Sequence, residues 1–136
     1  MTNIIKVAVK CPTCRTSLMN SEMRIDDLPS IAIAAKIGGK SGMVHLSQIY
    51  GSYNKQFEGV EDIPESIADF SCPQCRKPFP IQKVCECNAP VATLLLEIGG
   101  EVNFCTRNGC RYHSVEFKDL NHVFLLIQNQ DETRYL

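Results

Sequence analysis

Two stretches of the chain, residues 31–46 and 94–104, share one hydrophobic pattern. In each, an apolar run is followed by the tripeptide Ile-Gly-Gly and then by a second run with apolar positions. Paired glycines between apolar runs are typical of a β-hairpin, because the turn needs positive φ angles that glycine adopts without steric cost. The pattern therefore predicts two β-hairpins and suggests a distant internal repeat.

The segments around these hairpins predict further strands. Residues 4–9 are rich in β-branched side chains, and they lead, like residues 67–70, into a pair of cysteines. Residues 112–117 follow the last cysteine and also predict a strand. Residues 50–57 are polar and aromatic, which favours a loop or an irregular edge strand.

The chain after residue 118 has a different period. Leu120, Phe124 and Ile127 recur at helical spacing and predict a short C-terminal helix. The run 123–127 would also suit a buried strand, so both alternatives stay open at this stage.

The eight cysteines fall in close pairs, which is the strongest chemical signal in the sequence. The pairs are Cys11 with Cys14, Cys72 with Cys75, Cys85 with Cys87, and Cys105 with Cys110. A structural zinc ion takes a closed tetrahedron of ligands, usually supplied by two such pairs. All eight cysteines are therefore predicted metal ligands in two four-cysteine sites, with two Zn²⁺ ions as the cofactors.

Two alternatives concern pairing and metal. The first two pairs are expected to form one site and the last two the other, while an interleaved arrangement would join the first pair to the third. Iron in a rubredoxin-like site is not separated from zinc by spacing alone, since both metals accept tetrahedral sulfur.

A disulfide framework is the rival explanation for eight cysteines. The first ten residues lack the uninterrupted apolar core of a signal peptide, which favours a cytoplasmic chain with reduced thiols. Metal binding is therefore the preferred interpretation.

The hairpins and cysteine pairs together predict the fold. It is expected to be mainly β (small α+β), with two zinc-ribbon-like β-hairpin units, each closed by a four-cysteine site, and the short C-terminal helix. The predicted boundaries are 1–80 for a first unit with a long insertion, 81–118 for a compact second unit, and 119–136 for the helix and tail.

Most of residues 10–118 resembles small prokaryotic tandem zinc-ribbon proteins of uncharacterised function. The likeness rests on the cysteine pairs with their neighbours, notably residues 85–91 and 99–113. It implies the fold and the metal sites but no reaction. One departure is that glycine usually follows a Cys-Pro-x-Cys turn, whereas Arg15 and Arg76 stand here. Arginine in the left-handed conformation costs about 1 kcal/mol.

Charge and composition limit the function. Fourteen Lys and Arg residues nearly balance fifteen Asp and Glu residues in a chain of 136. Nucleic-acid-binding proteins usually carry a basic excess, because phosphate contacts supply much of their affinity. No apolar run approaches the roughly 18 residues of a membrane span. The sequence thus disfavours nucleic acid and membranes as partners.

Other candidate chemistry is sparse. His113 follows Cys110 by three residues, but the eight cysteines already complete two sets, so a surface or supporting role is preferred for it. His45 is expected to be a strand residue. Residues 38–42 resemble a fragment of a phosphate loop but precede a strand rather than a helix. No catalytic residues are predicted, and the protein is not expected to be an enzyme.

Three functions remain as hypotheses. The preferred one is a zinc-binding adaptor or accessory subunit that contacts a protein partner through residues 46–63 and their aromatic side chains. The second is nucleic-acid binding, and the third is iron-based electron transfer. For the second, the expected phosphate contacts and stacking rings are Arg15, Lys36, Lys40, Lys55, Arg76, Lys77, Tyr50, Tyr53 and Phe57.

Overall fold

The computed structural model describes residues 5–117, which form ten β-strands. These strands are β1 (Val9–Lys10), β2 (Met19–Ile25), β3 (Leu28–Ile37), β4 (Lys40–Leu46), β5 (Lys55–Glu58), β6 (Asp69–Ser71), β7 (Ile81–Val84), β8 (Pro90–Leu96), β9 (Gly100–Cys105) and β10 (His113–Phe117). The prediction of a mainly β protein is confirmed, and no helix occurs within residues 5–117. The predicted C-terminal helix lies outside the described residues.

The strands form two antiparallel sheets of five strands each. In the first sheet the order is β2-β3-β4-β5. Strand β6 also pairs with β3, on the same edge as β2 but further along the strand. In the second sheet the order is β1-β8-β9-β10, and β7 pairs with β8. The strands β3 and β8 therefore each pair along one edge with a single neighbour, and along the other edge with two strands in succession.

The two sheets exchange their first strands. We call β1 to β5 the first repeat and β6 to β10 the second repeat, because both sets follow the same order along the chain. Within each repeat the last four strands pair consecutively, but β1 joins β8 of the second repeat and β6 joins β3 of the first. Val9 of β1 lies opposite Leu96 of β8, and Phe70 of β6 lies opposite Ala35 of β3. Phe70 comes 61 positions after Val9, and Leu96 comes 61 positions after Ala35, so the two pairings are equivalent.

Both glycine pairs form the expected hairpin turns. Gly38 and Gly39 connect β3 to β4 with φ angles of 58° and 82°, and Gly99 and Gly100 lead into β9 with φ angles of 103° and 117°. The strand expected after the last cysteine is β10. The irregular stretch 50–57 ends in the edge strand β5. The sequence patterns gave no indication of β2 or β7.

One hydrophobic core joins the two sheets. It includes Ile33 of β3, Leu94 of β8 and Val9 of the exchanged strand β1, all at most 1% exposed. Burying side chains of this size contributes about 1.5–3 kcal/mol each. Cys11 and Cys72 belong to the same cluster, so one group of cysteines lies directly against the core. The boundaries proposed at residues 80 and 118 stay a prediction.

Candidate metal centres

The first centre gathers Cys11, Cys14, Cys72 and Cys75. The Sγ atoms of Cys11 and Cys75 lie 3.8 Å apart, those of Cys14 and Cys72 lie 3.7 Å apart, and all four lie within 4.8 Å of one another. Each repeat contributes one Cys-x-x-Cys turn, placed directly after its exchanged strand, β1 or β6. The first centre therefore lies where the two repeats meet.

The two turns have the same construction. The Cys11 amide donates to the Thr16 carbonyl and the Cys72 amide to the Lys77 carbonyl, over 2.9 Å and 3.0 Å. The Arg15 and Arg76 amides return to the carbonyls of Cys11 and Cys72 at 3.0 Å and 2.9 Å. Both arginines have positive φ angles, 63° and 64°. Each turn therefore has the backbone conformation that glycine favours, although arginine occupies the position.

Backbone amides point at the sulfur atoms of the first centre. The Thr13 amide lies 3.3 Å from Cys11 Sγ, and the Gln74 amide lies 3.3 Å from Cys72 Sγ. Hydrogen bonds from N–H groups favour the thiolate over the thiol. These donors suit sulfur atoms that carry negative charge.

The second centre lies wholly within the second repeat and gathers Cys85, Cys87, Cys105 and Cys110. Cys85 and Cys87 belong to the turn between β7 and β8, while Cys105 ends β9 and Cys110 lies in the connection to β10. The Sγ separations are 3.8 Å for Cys85 and Cys110 and 3.4 Å for Cys87 and Cys105. This group joins two connections at one end of the second sheet.

The sulfur spacing in both groups fits a tetrahedral metal ion. A regular tetrahedron with metal–sulfur bonds of about 2.3 Å has sulfur–sulfur edges of about 3.8 Å. Disulfide-bonded sulfur atoms would instead lie about 2.05 Å apart, and none of the eight cysteines is disulfide-bonded. The donor set and its spacing therefore fit a four-thiolate ion, and zinc and iron meet these requirements equally.

Each centre combines an easily ionised thiol with one that resists ionisation. A hydrogen bond between Cys14 and the Thr16 side chain lowers the pKa of Cys14 to about 6, whereas burial raises the pKa of Cys72 to about 11. In the second centre the Ala89 amide lowers the pKa of Cys87 to about 6, and burial raises the pKa of Cys105. A divalent cation supplies the positive charge that the two buried sulfur atoms need to become thiolates.

Arg107 supports the second centre from inside its last cysteine pair. Its amide lies 3.4 Å from Cys105 Sγ, and its Nη2 donates to the Cys87 carbonyl over 3.1 Å. Its Nη1 donates to the Glu65 carbonyl over 2.9 Å. A hydrogen bond to Cys87 also raises the pKa of Arg107. The guanidinium therefore links the cysteines to the segment before β6, a role that sequence reasoning missed.

The grouping of the cysteines follows the sequential prediction, and the interleaved alternative is wrong. Neither His45 nor His113 belongs to a cysteine group. His45 is 3% exposed on β4, and its Nε2 lies 3.3 Å from Glu58 Oε1. His113 begins β10 and contacts two tyrosine rings.

Two of the aromatic residues expected to contact a partner, Tyr50 and Tyr53, lie against His113. The ring centroids of Tyr50 and Tyr53 lie 4.5 Å and 5.0 Å from that of His113, and Tyr53 is stacked on it. The Arg111 guanidinium carbon lies 5.0 Å from the centroid of Tyr53. Tyr50 and Tyr53 are 37% and 45% exposed, whereas Phe57 packs against the core. We call Tyr50, Tyr53, Arg111 and His113 the aromatic surface.

Two of the basic residues considered for phosphate contacts interact with other side chains. Lys55 Nζ donates to Asn108 Oδ1 over 2.6 Å, and Lys40 Nζ lies 3.8 Å from Glu61 Oε1. Arg15 and Arg76 follow the two turns of the first centre and are exposed.

The chain has no match among protein-family models, curated proteins or solved structures. The resemblance to tandem zinc ribbons therefore stays a prediction from the sequence. Residues 5–117 contain no helix that could cross a membrane.

Proposed function

We propose that this protein is a zinc-stabilised interaction module that uses its aromatic surface to contact a protein partner. In this proposal both four-cysteine groups hold Zn²⁺ and have a structural function, because four protein thiolates leave no open coordination position for a substrate. No catalytic step is assigned to the chain. The free thiols suit a reducing compartment such as the cytoplasm.

The exposed aromatic surface is the observation that carries the proposal. Tyr50 and Tyr53 are held by ring contacts to His113, so their orientation is restricted before any partner binds. Rigid tyrosine rings provide a large apolar face and a hydroxyl group at low entropic cost, which explains their enrichment at interfaces. A cavity of about 120 Å³ lies beside these rings and is lined by apolar residues such as Leu94 and Phe104. An apolar side chain of a partner would find both a cavity and a polar rim here.

Loss of partner binding in the variant Tyr50→Ala/Tyr53→Ala tests the proposal. The tagged wild-type protein is expected to co-purify a stoichiometric protein partner, and the double variant is expected to lose it while retaining the wild-type metal content. Ile98→Ala is the control, because Ile98 is 39% exposed in the β8–β9 turn, at the end of the second sheet where Gly100 pairs with Phe117, whereas His113 pairs with Phe104 at the other end. Equal retention of the partner by the wild type and the tyrosine variant would contradict the proposal.

A nucleic-acid arm of the same experiment addresses the main alternative. The nearly balanced charge predicts weak binding to random DNA or RNA at about 150 mM salt. Sub-micromolar binding with a steep salt dependence would favour a nucleic-acid-binding function instead. If the purified protein showed the red absorption of a ferric thiolate, the cysteine groups would hold iron rather than zinc, and electron transfer would become the favoured function.

A further inference from the structure

Two surface clefts reach the cysteines of the second centre. One lies between the β9–β10 connection and the segment before β6, and Arg107 forms part of its wall. The other lies beside β7, and Lys83 forms part of its wall. Cys87 and Cys110 line both clefts. A small molecule from solvent can therefore approach these two cysteines through either cleft.

The cysteines of the first centre are more enclosed. Cys11 and Cys72 are both 0% exposed and belong to the hydrophobic core. The cleft beside that centre is lined by Pro73 and Arg76 but by none of its cysteines. In the second centre, by contrast, Cys105 alone is buried. Two centres with the same ligands thus differ in how readily a molecule in solvent reaches them.

A basic side chain lies against Cys87. The Arg107 guanidinium donates to the Cys87 carbonyl over 3.1 Å and also hydrogen-bonds with the Cys87 side chain. Asp62 and Glu65 line the same cleft, and Asp62 Oδ1 accepts a hydrogen bond from Asn108 Nδ2. Reactive cysteines are partly exposed and have a cationic group beside the sulfur atom. Cys87 meets both conditions.

Cys87 also has a second sulfur atom close by. Its Sγ lies 3.4 Å from Cys105 Sγ, whereas the other close pairs in the two centres are 3.7 Å or 3.8 Å apart. An oxidised cysteine condenses with a neighbouring thiol to form a disulfide. Cys105 is therefore the thiol that is best placed to react with an oxidised Cys87.

We propose that Cys87 is an oxidation site, at which hydrogen peroxide converts the second centre to a disulfide and releases its metal ion. The Cys87 thiolate attacks one peroxide oxygen, the O–O bond breaks, and the departing hydroxide takes a proton from solvent. The Cys105 thiolate then attacks the sulfur of the resulting sulfenic acid and displaces a second hydroxide, which is protonated in the same way. Two thiolates thus lose two electrons, and one peroxide with two protons becomes two water molecules. The ion loses two of its four thiolate ligands and leaves.

Release of the ion would loosen the segment that carries half of the aromatic surface. Arg111 and His113 follow Cys110 by one and three residues. His113 is the residue on which Tyr53 stacks. Oxidation of the second centre should therefore weaken the contact between these two rings. Control of partner binding by peroxide rests on the proposed function, whereas the oxidation itself does not.

The test measures zinc release from the full, zinc-loaded chain with a chromogenic zinc indicator. Hydrogen peroxide in small excess is expected to release one ion about tenfold faster than the other, because oxidation follows exposure of the thiolate. Peptide mapping after the fast phase should find a disulfide between Cys87 and Cys105, and dithiothreitol with added zinc should restore the lost ion. Release of both ions at one rate, or a first disulfide that lacks either of these cysteines, would overturn the proposal.

Matched histidine variants separate attack by Cys87 from general exposure of the second centre. Cys87→His keeps a zinc ligand but removes the attacking sulfur atom, so the fast phase should slow to the rate of the slow one. Cys14→His makes the same exchange in the first centre and should leave the fast phase unchanged. A fast phase that persists in Cys87→His would refute the assignment. If that variant does not hold its second ion, the disulfide map of the wild-type chain decides. Neither measurement depends on the partner that the proposed function invokes.

Discussion

At the residue scale, single backbone conformations decide how the cysteine turns are built. Arg15 and Arg76 adopt φ angles of 63° and 64°, which the bare Cys-Pro-x-Cys pattern would assign to glycine. The turn could be predicted from its cysteines, because the thiolate geometry requires that backbone path. The unfavourable arginine shows that the hydrogen bonds of the turn outweigh a cost of about 1 kcal/mol.

Replacing one of these arginines by glycine is expected to stabilise the protein. Arg76→Gly removes the left-handed strain, and the greater freedom of glycine in the unfolded chain offsets part of the gain. The melting temperature at fixed metal concentration should rise by about 2 °C. Lys77→Gly, one position further in the same turn, should lower it, because Lys77 is not among the residues with positive φ. A lower melting temperature for Arg76→Gly would refute this account of the turn.

Gly42 on β4 requires the absence of a side chain for a different reason. A Cβ atom there would overlap the Glu58 carbonyl oxygen and lie 2.8 Å from the Gly59 carbonyl carbon. Gly42→Ala is therefore expected to destabilise the fold by about 3 kcal/mol. Gly39→Ala is the control: it meets no atom within 4 Å but has a φ of 82°, so about 1 kcal/mol is expected. Chemical denaturation compares the two, and equal losses would contradict the steric explanation.

At the element scale, the hairpins could be predicted from the sequence, but the strand exchange could not. Glycine pairs signal a turn within a few residues, so β3 with β4 and β8 with β9 were accessible to local reasoning. Pairing of β1 with β8 joins residues more than 80 positions apart and has no local signature. Strand β2 was missed because its sequence, Met-Asn-Ser-Glu-Met-Arg-Ile, lacks regular alternation, and its pairing contains a register shift.

Asp26 of the β2–β3 turn accepts hydrogen bonds from Ser47, Ser52 and Asn54 of the connection between β4 and β5, and we call this group the Asp26 cluster. Asp26→Ala removes the acceptor for Ser47 and Ser52, so the connection between β4 and β5 should open more often. Hydrogen exchange at the Tyr50 amide, bound to the Ile5 carbonyl, is expected to accelerate at least tenfold. The Asn108 amide, which donates to the Ser66 carbonyl at the corresponding place of the second repeat, should be unchanged. Similar acceleration at both amides would indicate general destabilisation and contradict the local function.

The same cluster has a defined pH dependence. Hydrogen bonds from Ser47, Ser52 and Asn54 hold the pKa of Asp26 below its ordinary value of 3.8. A carboxyl group whose pKa is lower in the folded protein contributes its full stabilisation at pH values above its ordinary pKa. This contribution disappears as the pH falls through the lower pKa of the folded state. Between pH 7 and pH 5 the Asp26→Ala difference in melting temperature should therefore stay constant. A difference that shrinks over that interval would contradict the assignment.

At the scale of the whole molecule, the two centres are expected to differ in how much of the fold each one stabilises. The first centre joins the repeats and lies against the shared core, whereas the second joins two connections within one sheet. Cys14→Ala should therefore weaken exchange protection in both sheets, while Cys110→Ala should weaken it mainly between β9 and β10. Amide exchange followed residue by residue distinguishes them. Protection lost equally widely in both variants would show that the second centre also supports the whole fold.

Metal content of the purified chain tests the central claim most directly, that the eight cysteines hold two ions in two separate sets. Elemental analysis of protein purified under reducing conditions, without added metal, should give two zinc ions per chain, one for each group of four thiols. Cys11→Ala/Cys72→Ala should retain one ion, and so should Cys87→Ala/Cys105→Ala. A folded wild-type protein that contains no metal, or whose cysteines are joined in disulfides, would contradict the account.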